Sequence, residues 1–97
     1  MHTIKYTKLA EQDLYNLFEL IYQDKPTVAF EYIEKLENYI NLLKLNPQLG
    51  TECKNKNIHK ECRVLIYENY LIFYKILKTE IHILRILNSK IDYTKNF

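Results

Sequence analysis

One glycine, two prolines and no tryptophan occur in this 97-residue chain. So little glycine and proline excludes a linker, a collagen-like repeat or a low-complexity segment, and an apolar share of 47% belongs to a sequence that folds. Long hydrophobic runs are missing as well. No stretch approaches the roughly 18 apolar residues that cross a bilayer, and the opening "MHTIKYTKLAEQD" lacks the apolar centre of a secretory signal. A cytoplasmic location without a membrane partner is therefore expected. Cysteine is scarce: Cys53 and Cys62 are expected to be reduced thiols in that compartment. With His59 between them they match no zinc spacing, so neither a metal nor a cofactor is expected.

Charge of one sign is not in large excess. Fourteen basic and twelve acidic residues leave +2, which excludes the strong positive field of a dedicated DNA-binding domain. Arginine is the rarest charged residue, with Arg63 and Arg85 alone. Arg85 sits inside the apolar run "ILRIL", where a guanidinium must be paired, surfaced or used, because burying it alone costs too much. The length allows one domain, residues 1–97, with a single core.

What the chain does have is pattern. "HTIKYT" alternates Ile4 and Tyr6 with polar neighbours, as a short strand does. Thr7 can cap a helix whose stripe is Ala10, Leu14, Leu17, Phe18 and Ile21. "QDKP" ends it, and Pro26 suits the first turn of a second helix with a seam of Ala29, Ile33, Leu36, Ile40 and Leu43. "NPQLG" closes that helix, and the short connection makes the pair an antiparallel hairpin. Tyr15, Tyr22, Tyr32 and Tyr39 run along its flanks, either as packing or as a surface under a partner.

After the loop "TECKNKNIHKE" the period changes. "CRVLIY", "YLIFYKIL" and "EIHILRIL" read as three strands of a meander, turning at Glu68-Asn69, where Asn tolerates positive φ, and at Lys78-Thr79. The expected class is α+β in the order β-α-α-β-β-β, with the hairpin on one face of a small, mainly antiparallel sheet. Both sheet faces look apolar, so something else must cover the second or leave it sticky.

These residues in this order resemble the RelE/ParE toxins of type II toxin–antitoxin modules, and the ParE branch most. The resemblance rests on Ala10 and Asp13-Leu14, Pro26 and Ala29, Leu36, Pro47 and Gly50, Arg63, "YLIFY", "ILRIL" and Asp92, and it covers nearly the whole chain. It implies a growth-inhibiting toxin of the plasmid-stabilising kind, wrapped by a cognate antitoxin that covers the second face. ParE-like members are implied to bind DNA gyrase without chemistry of their own; RelE-like members are implied to cut mRNA on the ribosome without metal. Fold alone does not choose between them.

The residues lean one way. Metal-free RNA cleavage needs a base for the 2′-OH, cations for the phosphorane and an acid for the leaving oxygen. In RNA-cutting relatives a cation follows the Tyr that opens the middle strand, but here Leu71 follows Tyr70. Where many relatives carry His after the last strand, this chain has Asn88, which does not titrate near neutral pH. A gyrase-binding inhibitor is the expectation, with a metal-independent mRNA endonuclease as the alternative and an inactive relative as a third. Were it a ribonuclease, Arg63, Arg85, His59, Lys90 and Tyr93 would be the candidates. For antitoxin or target binding the candidates are Arg63, Arg85, Lys54, Lys56, Lys60 and Asp92, although a run such as "KNKNIHK" is also an ordinary solvated loop. Arg85 is expected to pair with Asp92 or Glu61, and His82 to be an edge or packing residue.

Overall fold

Local signals set the helical hairpin. In the computed structural model, which describes residues 1–53 and 61–90, strand β1 (Thr3–Tyr6) leads into helix α1 (Lys8–Asp24). Thr7 caps α1, its Oγ1 accepting from the Ala10 N–H at 3.1 Å. Lys25, held extended at φ −141° by the following proline, ends α1, and Pro26 opens α2 (Pro26–Asn41). A 3-10 turn, Leu42–Lys44, finishes the hairpin. No described helix is long and apolar enough to cross a membrane.

Among the described residues the sheet has five strands, one more than expected. The extra strand β2 is only Thr51–Glu52, cut from the start of the anticipated loop, and it pairs with β3 (Arg63–Tyr67). Strands β4 (Tyr70–Ile76) and β5 (Glu80–Asn88) complete the meander. The order is β1-β5-β4-β3-β2, antiparallel except that β1 runs parallel to β5, from Thr3↔Glu80 to Tyr6↔Ile83.

The hairpin covers one face. Ala10, Leu17, Leu36, Ile40 and Leu43 pack on Leu65, Ile72, Tyr74, Ile81, Ile83 and Ile86. Each large aliphatic side chain buried there contributes roughly 1.5–3 kcal/mol. The step from Ile83 to Ile86 is three residues rather than two because β5 bulges: Ile83 stands opposite Tyr74 and Arg85 opposite Phe73, leaving Leu84 over.

The other face differs from expectation. It is not bare, for Phe73 and Leu87 are buried there together with Cys53 and Cys62, and Val64, Leu71 and Leu84 pack around them. The cysteines are joined as a disulfide, not held as separate thiols, because β2 and β3 bring their Cα atoms to 5.5 Å. Ile66, 60% exposed, is the large aliphatic residue of β3 left to solvent.

One turn also departs from the reading. Glu68, not Asn69, takes the positive φ of 51° between β3 and β4. Beside this turn the Tyr32 ring packs edge-on against Tyr67 and Tyr70, and burial, followed by the Glu68 carboxylate, pushes the Tyr32 hydroxyl pKa up.

The single glycine has a steric reason. A Cβ on Gly50 would stand 2.5 Å from the Val64 carbonyl oxygen and 2.9 Å from the Tyr74 ring. The first of these is backbone and cannot swing aside. Gly50→Ala is therefore expected to lower unfolding free energy by about 3 kcal/mol, read as a drop in the urea midpoint.

Candidate functional site

Arg85 is answered by a residue 72 positions earlier. Its Nε donates to Asp13 Oδ2 at 2.8 Å and its Nη2 to Asp13 Oδ1 at 2.9 Å. Asp13 Oδ2 also accepts the Ile86 N–H at 2.9 Å, and Thr7 Oγ1 donates to the Leu84 carbonyl at 3.0 Å. The bulge in β5 is thus met by side chains from the start of α1. Both charged groups are largely buried, with 17% and 10% of their side chains exposed. The hydrogen bond that Arg85 donates to Asp13 pushes its pKa up, against the opposing effect of burial. Glu61 is not the partner, and Asp92 lies outside the described residues. The carboxylate comes from α1 rather than from Glu61, which looked nearer to the sheet segments in sequence. A signal was there: Asp13 lies between Ala10 and Leu17 on the buried side of α1, where a carboxylate needs a cation.

Arg63 stands on β3 with β4 between it and Arg85, so the two arginines are one strand apart and not adjacent. It turns to the segment after the hairpin. Nε and Nη2 donate to the Gly50 carbonyl at 3.1 and 2.7 Å, Nη2 also to the Gln48 carbonyl at 3.2 Å, and Nη1 is 3.7 Å from Glu52. The fully buried Tyr74 stitches the same segment, donating to the Pro47 carbonyl at 2.7 Å and accepting from the Gly50 N–H at 2.9 Å. Lys90 donates its backbone N–H to Asn88 Oδ1. His82 is held by Glu80 at 2.9 Å. Lys54, Lys56, His59, Lys60 and Tyr93 lie outside the described residues. Among the described residues no group of His, Cys, Asp and Glu could hold a metal ion.

Along the hairpin lies a surface that includes Tyr15, one of the tyrosines picked out by spacing. Leu14, Tyr15 and Phe18 of α1 and Ile33 of α2 line a groove of about 340 Å³, rimmed by Tyr6, Glu11 and Glu37. Neither carboxylate forms a salt bridge among the described residues. Further along, Phe18, Tyr22 and Phe30 stack with centroids 5.0 to 6.2 Å apart, although Phe30 is 63% exposed. The tyrosines expected to act alike divide here. Tyr15 and Tyr22 are exposed, whereas Tyr32 and Tyr39 pack on Tyr67.

A family model described as the ParE toxin of the type II toxin–antitoxin system parDE matches residues 4–93. This chain belongs to the ParE toxin family. Among solved structures it is similar to a chain of the chromosomal ParDE toxin–antitoxin system from P. aeruginosa, with a TM-score of 0.78 and 20% identity, over 93% of this chain and 98% of that one. No curated protein matches it. In this ParE-family chain the Arg85–Asp13 contact joins α1 to the sheet, so the toxin's helical surface is placed by it.

Asp13→Ala in the toxin leaves a guanidinium and the Ile86 N–H without their acceptor. The expected loss is about 3 kcal/mol of unfolding free energy, and Asp13→Leu combined with Arg85→Met should restore much of it. Tyr6 offers a check by pH. Burial first, and then the Glu37 carboxylate, push its hydroxyl up to about 12 from the ordinary 10. The neutral hydroxyl is favoured by folding, so this stabilisation is whole below pH 10 and is lost as pH rises toward 12. Urea midpoints should fall across that window, and Tyr6→Phe should flatten the fall.

Proposed function

We propose that this ParE-family chain inhibits growth by binding DNA gyrase rather than by cutting RNA, and that a cognate antitoxin silences it. The observation that carries the reading is the engagement of both arginines inside the chain. Arg63 is held by the Gln48 and Gly50 carbonyls, and Arg85 by Asp13. A nuclease would need such cations aimed at a phosphorane, with a base and an acid beside them. Leu71 follows Tyr70, and Asn88 uses its Oδ1 as an acceptor for Lys90. These residues suit an architecture that presents surfaces. Gyrase as the target comes from the family resemblance.

The antitoxin proposal draws on surface chemistry. Phe30 and Tyr22 are exposed aromatics of the kind enriched at protein interfaces. The hairpin, residues 8–41, carries three lysines against seven acidic residues, a net −4; with +2 for the whole chain, the remainder carries +6. A partner that wraps both halves must therefore present opposite charges to each, which favours one cognate partner over others.

A gyrase supercoiling assay with the purified chain, with and without the protein encoded by the adjacent reading frame, tests both halves. Supercoiling should stop at low toxin concentration and resume when that protein is added. Unimpaired gyrase, together with ribosome-dependent mRNA cleavage that Arg63→Ala abolishes in a protein of unchanged melting temperature, would replace this reading with the nuclease one. Normal growth on expression of the chain alone would mark an inactive relative.

A further inference from the structure

The two cysteines meet where the sheet is weakest. Strand β2 contributes two residues, paired as Thr51↔Val64 and Glu52↔Arg63, and one further bond follows, from the Cys53 N–H to the Cys62 carbonyl at 3.1 Å. A strand of that length has little stability of its own. The disulfide closes directly after it, and its two residues are half of the four buried members of the second cluster, over Phe73 and Leu87. Both are nearly out of solvent, at 2% and 8% exposure.

We propose that Cys53 and Cys62 are a redox-modification site that clamps the β2 edge of the sheet, closed by small-molecule disulfides and opened by dithiols. In closing, one thiolate attacks a sulfur of the oxidant and expels a thiolate, giving a mixed disulfide. The second cysteine thiolate then displaces the remaining half. The pair loses two protons and two electrons, and the oxidant leaves as two thiols. A dithiol runs the sequence backwards and ends as its own disulfide. Because the sulfurs are buried, exchange proceeds through fraying of β2, which lies at the sheet edge with few bonds to break. Opening frees the outer edge of β3 at Arg63–Val64 and removes the cover over Phe73. The clamp stands whether or not the toxin reading does.

The full-length chain is treated with oxidised glutathione or with dithiothreitol, and its thiols, melting temperature and amide exchange are measured. After oxidised glutathione no thiol should titrate, even in denaturant; after dithiothreitol two should. Reduction should lower the melting temperature by about 10 °C, the scale set by a disulfide closing a short loop in a domain of this size. Amides at Thr51, Glu52, Cys53 and Val64 should exchange at least tenfold faster, with those of β4 and β5 little changed. Cys53→Ser with Cys62→Ser should match the reduced form and ignore dithiothreitol. Thiols that persist after oxidised glutathione would overturn the proposal. So would a reduced wild-type chain with the melting temperature and edge exchange of the oxidised one, a reading that does not depend on the variant folding.

Discussion

A guanidinium in an apolar strand and a carboxylate on the buried side of a helix hold this molecule in register. Each would be costly alone; together, with the Ile86 N–H as a third donor to the same carboxylate, they satisfy one another. Their position matters as much as their strength. β1 stops pairing with β5 at Tyr6↔Ile83, and β5 bulges at the next residue. Thr7 and Asp13 meet the strand there, so α1 starts where the parallel ladder ends. The apolar core alone could tolerate sliding of the hairpin over the sheet, since aliphatic contacts have no direction. The bidentate contact does not permit it.

α2 is tied at its far end by a second polar system. Tyr74 and Arg63 reach from the sheet to the Pro47–Gly50 segment, and close approach there excludes any side chain at position 50. Both arginines are thus engaged by groups of the chain itself. The acidic groove and the aromatic stack lie on the hairpin that these contacts hold in place.

Much of this was legible in the sequence because it is periodic. The stripes on both helices, the Thr7 cap, the Pro26 start and the meander follow from spacing and local chemistry, and the family resemblance ordered them. What stayed hidden depends on distance. Asp13 and Arg85 meet only when β1 and β5 pair, and no local rule joins residues 72 apart. Cys53 and Cys62 become neighbours through a two-residue strand too short to show a period. Glu68 occupies a turn geometry for which Asn69 was the better local choice, and Tyr32 of α2 packs beside that turn. The lone glycine read as a helix breaker, while its decisive contact is with a strand that follows later in the chain.

The strand order has a consequence for synthesis. Among the described strands β5 is made last, yet it sits inside the sheet, between β1 and β4. During translation a nascent chain can form the hairpin early, but β1 has nothing to pair with until residues 80–83 arrive. A polypeptide that has not reached β5 therefore carries a helical cover without a complete sheet, and the surfaces assembled on that frame come into being only once β5 is made.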